Sequence, residues 1–242
     1  MALTTFDVDD TRIRIEIDRP DKRNALSLEV SEELSRLLDR SRDIPAPLVI
    51  TSSTPGMFVA GTDIGALRER TTEDGLARVN SELFQRIDDH PWPTIAVVDG
   101  PALGGGCELA LACDLRVAST RSLWGLPEVR LGIIPSAGGL WRLPRVVGWS
   151  AAVELIMTGR RIDTAEAERL GLVHRCVPFA DLDDEVATLL AELGKTSLPA
   201  VRLAKEAMRV APDHRRLVDA VAQAVCLSGE DAQQRLSEFL SR

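Results

Sequence analysis

Short apolar runs, each followed by a turn signal and a helical pattern, recur along the middle of this chain and restrict its fold more than any other feature. "APLVITS", "TIAVVDG" and "DLRVAS" are nearly continuous in apolar residues, as strands buried on both faces are. Strand–turn–helix units repeated through residues 47 to 119 predict an α/β fold with parallel pairing. Upstream, "TRIRIEID" alternates Ile13, Ile15 and Ile17 with Arg12, Arg14, Glu16 and Asp18, which predicts a strand with one apolar and one wet face. Ser27 suits the N-cap of a helix whose Val30, Leu34, Leu37 and Leu38 form one stripe. A helical pattern over 73–89 is stopped by "HPWP".

Beyond residue 135 the pattern turns helical, with helices expected over 136–146, 149–158, 181–193, 198–210 and 215–227. Asp163 and Glu166 form a capping box for a further helix ending at Gly171, and Pro199 suits a first helical turn. The expected organisation is an α/β core over residues 1–180 and a helical region over 181–242.

Charge removes several functional classes. A net charge of −8 over 242 residues argues against a protein that tracks nucleic-acid phosphates. No apolar run approaches the length of a membrane span, and "MALTTFDVDDTRIRIEID" lacks the pattern of a signal peptide, so a cytoplasmic protein is expected. Cys107, Cys113, Cys176 and Cys226 have neither zinc-site nor disulfide-framework spacing and read as reduced thiols. His90, His174 and His214 read as surface or capping residues, and no metal site is expected.

The stretch "GPALGGGCELALACD" carries the chemistry. Three glycines lead from a strand into a helix, which is permissive backbone at a fixed place. No lysine follows to make a P-loop, and Leu109 stands where a dinucleotide fingerprint needs glycine. Two readings stay open: a tight turn with close helix–strand packing, or helix-terminal N–H groups aimed at a negative oxygen. Glu108 follows at once, alone in an apolar helix, where a carboxylate needs a partner or a role. Glu128, in "WGLPEVRLGIIP", is similarly placed, with Arg130 as a possible ion-pair partner. Two such carboxylates can divide acid and base duties if their surroundings separate their pKa values.

"FVAGTDI", "GPALGGGCELALACDLRVAS", "LPEVRLGIIPSAGGLWRLPRVVG" and "TGRRIDTAEAERLGLV" together resemble the enoyl-CoA hydratase/isomerase (crotonase) superfamily, four motifs in the right order and spacing. The resemblance implies a spiral of ββα units, with residues 181–242 serving trimerisation in a homotrimer or a dimer of trimers. It implies an acyl-CoA thioester as substrate, with no cofactor beyond the coenzyme A the substrate carries. Thr62 and Gly105 would supply the two N–H groups of an oxyanion hole. Glu108 and Glu128 would together add water across the 2,3 double bond of a 2-enoyl-CoA, Glu108 activating the water and Glu128 protonating the α-carbon. Lys22, Arg23, Ala25, Ala60, Asp63 and Ile64, with Leu103, Gly104 and Pro127, would contact substrate. Leu67, Trp124, Leu126 and Leu131 would line the acyl pocket. The alternatives are an isomerase, hydrolase or C–C bond lyase/synthase of the same fold, or a non-catalytic acyl-CoA binder.

The chain departs from the family pattern at several positions. Gly65 replaces a common lysine, Thr62 an alanine and Trp141 a glutamine, and the longer basic and aromatic ending is missing. These changes bear on substrate range and affinity rather than on the reacting groups.

Overall fold

The computed structural model describes residues 3–63 and 78–209 without interruption, and scattered positions between 65 and 73 and between 218 and 234. Ile64, Leu67 and most of the helix expected over 215–227 lie outside the described residues. The main sheet joins β1 (Thr4–Val8), β2 (Ile13–Ile17), β3 (Leu48–Ser52), β4 (Thr94–Val98), β6 (Leu115–Ser119) and β9 (Arg175–Val177), in the order β1-β2-β3-β4-β6-β9. Only β1 and β2 pair antiparallel; the remaining neighbours are parallel, as the strand–turn–helix repeat predicts. A second, smaller sheet of β5 (Pro101–Leu103), β7 (Leu123–Gly125) and β8 (Ile162–Asp163) has strands too short for their pattern to announce.

Alternation along the strands explains why their sequences are apolar throughout. Leu48 and Ile50 of β3 face the larger core with Ile13, Ile15, Ala96 and Val98. Val49, Ile95, Val97 and Val117 point the other way, beneath Leu182, Val186, Leu189 and Leu190 of α7 (Leu182–Gly194). That helix therefore covers the chain's own sheet, and β3 and β4 are buried on both sides.

The other helices are α1 (Leu28–Arg42), α2 (Val79–Asp88), α3 (Gly105–Ala112), α4 (Gly139–Val147), α5 (Trp149–Thr158), α6 (Thr164–Arg169) and α8 (Leu198–Met208). Ser27 Oγ accepts the Val30 N–H at 3.5 Å, and Asp163 Oδ1 accepts the Glu166 N–H at 2.7 Å, so both expected caps form. The helix expected from residue 136 begins at Gly139 instead. Gly138, at φ 116°, is in a conformation no helix continues through.

His90 corrects the sequence reading. It is buried, its Nε2 lies 2.9 Å from Ser41 Oγ, and desolvation holds its pKa down at about 4. Nearby, buried Lys205 of α8 donates to Asp114 and to Trp92 O, fastening that helix to the start of β4. Cys107 and Cys113 are buried free thiols, while Cys176 and Cys226 are partly exposed.

Candidate active site

The three consecutive glycines turn out to serve three different needs. Gly104 sits at φ 53°, ψ −124°, and its Cβ, had it one, would lie 2.9 Å from Glu128 Oε1. A Cβ on Gly106 would stand 1.9 Å from Val59 O, inside any contact distance, so this residue lets α3 pack directly on backbone. Gly105, between them, opens α3, where the first N–H groups have no intrahelical acceptor. A Cβ there would fall 3.8 Å from Thr62 N and 3.3 Å from Thr62 Oγ1, so the two backbones are neighbours. Among the described residues neither the Thr62 nor the Gly105 N–H donates to a backbone acceptor, whereas the Gly104 N–H is used by Gly125 O at 2.9 Å.

Thr62 is held by a backbone ladder. Ala60 N–H donates to Arg23 O, Leu26 N–H to Gly61 O and Asp63 N–H to Leu26 O, at 3.2, 2.9 and 3.2 Å. The Leu103 N–H donates to Val59 O at 3.2 Å, which ties the same segment to β5. The polar turn at residues 22–26, the Thr62 segment and the glycine turn are thus one connected unit.

Every residue of α3 is buried, including Glu108 at 3% exposure. At the far end of this helix, buried Arg116 donates to Ala110 O at 3.1 Å and Cys113 O at 2.7 Å, satisfying terminal carbonyls and fixing the helix position. At its near end, Glu108 Oε1 accepts the Ala137 N–H at 2.8 Å and the Gly139 N–H at 2.9 Å. Burial raises the Glu108 pKa, and these two donors oppose the rise.

Glu128 stands in the short 3-10 turn Pro127–Leu131 and is treated differently. Among the described residues its Oε2 is buried without a hydrogen-bond partner. Burial pushes its pKa up to about 7; its own backbone N–H opposes the rise and the Glu108 carboxylate adds to it. Of the alternatives open for Glu128, the Arg130 ion pair does not form, and Arg130 Nε donates to Thr158 O at 3.0 Å. An acid near neutrality and a better-anchored carboxylate is the arrangement that two-carboxyl catalysis requires.

Both carboxyls meet a cavity of about 560 Å³. Ala60, Thr62, Leu103, Gly104, Gly105, Pro127 and Leu131 line it together with the two glutamates. Lys22 and Arg23 are exposed on the adjoining turn, away from the cavity wall. Ala25 is buried in that turn, its O accepting Arg19 Nη1 at 2.9 Å, and Asp63 lies 3.7 Å from the Arg19 guanidinium. Trp124 and Leu126 are core residues and do not line the cavity. The sequence reading missed Asn80 and Ser81 at the start of α2, and Ile133 and Ile134, all on the cavity wall. It also missed the Ala137 and Gly139 N–H groups, whose only trace in the sequence is the glycine pair in "PSAGG".

The family model of enoyl-CoA hydratase/isomerase matches residues 9–237. A crotonyl-CoA hydratase of Syntrophomonas wolfei is 36% identical over 234 residues, 93% of this chain and 90% of that protein. The fatty acid oxidation complex subunit alpha of Vibrio campbellii is 42% identical over 187 residues, 74% of this chain, and the chain spans only 26% of that subunit's length. The crystal structure of an enoyl-CoA hydratase from Bacillus anthracis aligns with a TM-score of 0.94 at 32% identity, covering 99% of this chain and 96% of that one. The fold is that of the crotonase superfamily. Within it, the chain belongs to the enoyl-CoA hydratase/isomerase family of enzymes.

Proposed function

We propose that this protein hydrates 2-enoyl-CoA thioesters to 3-hydroxyacyl-CoA. The observation that carries the reading is a buried Glu108 and a half-buried Glu128, of different electrostatic character, on one cavity that the adjacent backbones of Thr62 and Gly105 also line. The thioester oxygen accepts from the Thr62 and Gly105 N–H groups. Glu108, ionised, takes a proton from water as the water oxygen bonds to C3. The π electrons move through C2 onto the thioester oxygen, and Glu128, protonated, delivers its proton to C2. Each N–H donor strengthens as that oxygen becomes an enolate, and such donors contribute about 2.7–4 kcal/mol each to transition-state stabilisation.

Lys22 and Arg23 are proposed to meet CoA phosphates. Ala25, Ala60, Asp63 and Ile64 would flank the pantetheine and adenine, while Leu103, Gly104 and Pro127 lie against the thioester. Leu131 and Leu67 would bound the acyl chain, with Trp124 and Leu126 as the packed layer behind it. Coenzyme A arrives with the substrate, so no separate cofactor enters the scheme. A cytoplasmic homotrimer or dimer of trimers belongs to the same proposal; exposed Trp149 and Met157 of α5, 75% and 74% accessible, supply apolar surface for such contacts.

The decisive experiment follows the loss of enoyl-thioester absorbance with crotonyl-CoA and longer 2-enoyl-CoA esters. Turnover by the parent protein that collapses in both Glu108→Gln and Glu128→Gln supports the two-carboxyl mechanism. Absence of turnover on every ester, with thermal stabilisation by the same ligands, would remove the hydratase reading in favour of a binder.

A further inference from the structure

Glu108 does not orient itself. Its Oε1 accepts the N–H groups of Ala137 and Gly139, so the direction of the carboxylate is set by the turn those residues form. That turn is held from behind by Arg142 of α4. Arg142 Nη1 donates to Ala137 O at 3.2 Å, while Nη2 reaches Gln85 Oε1 at 3.2 Å, Asp88 Oδ2 at 3.3 Å and Phe84 O at 3.5 Å, all on α2. The residue is 4% exposed, and the guanidinium lies 3.9 Å from the Trp141 ring centroid. A Cβ on Gly138 would stand 2.0 Å from Nη1 and 3.1 Å from Cζ, so the guanidinium packs against the turn where only glycine leaves room.

We propose that Arg142 is a positioning residue for Glu108, tying the Ala137–Gly139 turn to α2 and so aiming the carboxylate at the water it deprotonates. A planar fork with donors on two sides joins two elements in a way a single ammonium cannot. Its burial makes the geometry stiff, because a buried guanidinium deprived of its acceptors is costly. The surroundings favour this role on both sides. Glu108 faces Glu128 from the neighbouring turn, the Cys107 thiol on its own helix and Arg142 from α4. Arg142 faces Asp88 at the end of α2 and Asp89 just beyond it, as well as Glu108. Its positive charge opposes the rise that burial imposes on the Glu108 pKa, so the residue that aims the base also favours its ionised form.

The role in turnover rests on the hydratase reading; the hold on Glu108 does not. Arg142→Lys and Arg142→Met are to be compared with the parent protein by thermal melting, by hydration kinetics and by carbon-13 NMR titration of glutamate carboxyls. The Glu108 signal is the one missing from Glu108→Gln. The expected result is a kcat lowered about 100-fold in Arg142→Met and about 10-fold in Arg142→Lys, with KM within about threefold, the size of effect that outer-layer orienting groups have. The Glu108 titration midpoint rises in both, more in Arg142→Met. Folded variants with the parent kcat overturn the proposal, and so does a lowered kcat with an unmoved Glu108 midpoint. If Arg142→Met does not fold, Arg142→Lys decides; failure of both to fold reduces Arg142 to a structural residue and also overturns it. A parent protein that titrates Glu108 normally but turns nothing over sinks the hydratase reading while leaving the hold of Arg142 on Glu108 to be judged by NMR.

Discussion

Glu108 and Glu128 face one cavity, but Glu108 Oε1 accepts two backbone N–H groups while Glu128 Oε2, among the described residues, is buried with none. Donors to a carboxylate favour its charged form, so in the proposed hydration this asymmetry suits Glu108 to the base role and Glu128 to the acid role. Either Glu→Gln change is expected to lower kcat by about 100-fold or more, within the range usual for general acid–base groups. The double variant should be little worse than the weaker single one, since the two groups act as a unit. Steady-state hydration assays on the three variants check this.

The pH dependence of turnover follows from the same pair. With the Glu128 pKa at about 7, its protonated fraction falls as pH rises through neutrality. Hydration kcat/KM is therefore expected to decline above about pH 7, with the alkaline limb reporting the free enzyme's acid. A flat profile to pH 9 would remove Glu128 from the proton-donor role.

Stability should respond to Glu128 and His90 with opposite signs. The Glu128 pKa is raised from 4.5 to about 7, so the folded state holds the extra proton and stability is lost as pH rises through that window. The His90 pKa is lowered from 6.5 to about 4, so the unfolded state holds the extra proton and stability is lost as pH falls. Each contribution is on the order of 3 kcal/mol at most, and over about pH 4.5 to 6.5 they offset one another. Glu128→Gln should therefore gain more in melting temperature at pH 8 than at pH 5. The penalty of His90→Asn should shrink from pH 7 to pH 4.5.

Alanine at the consecutive glycines should separate packing from chemistry. Gly106→Ala drives a Cβ onto Val59 O and is expected to destabilise by about 1–3 kcal/mol or more, as overpacking does. Gly105→Ala meets Thr62 Oγ1 at 3.3 Å, Leu26 Cδ1 at 3.5 Å and Thr62 N at 3.8 Å, with no contact under 3.0 Å, so it should fold and lose kcat. Thermal melts set beside kinetics distinguish the two.

Lys22 is exposed, and its contribution to CoA binding is expected to be modest. Lys22→Gln should raise KM about two- to fivefold for a CoA ester at low salt and leave the pantetheine ester of the same acid unchanged. Equal effects on both esters would move the phosphate contact elsewhere.

Much of this was legible because it is written in residue type. The buried strands of "APLVITS" and "TIAVVDG", the Ser27 and Asp163 caps and the lone Glu108 each leave a compositional mark. What was not legible lies in backbone atoms and in distance. Any residue but proline at position 137 offers an N–H, so the donor that anchors Glu108 has no letter of its own. Arg130 sits two residues from Glu128 yet turns to Thr158 O, because adjacency in sequence does not fix side-chain direction in a 3-10 turn. Trp124 and Leu126 are as apolar as pocket residues, but alternation within and beyond β7 points them into the core. Arg142 sits 34 positions beyond Glu108, and only the fold lets it act on that residue.

Thr62 and Gly105 enter the proposed oxyanion hole through amide groups that every non-proline residue carries. Substitution can therefore alter the side chain at position 62 without deleting a donor. Descendants of this chain have a route to new acyl specificities in which the enolate-holding apparatus is inherited intact, and the constraint falls instead on Gly106, whose replacement would push apart the two segments that supply it.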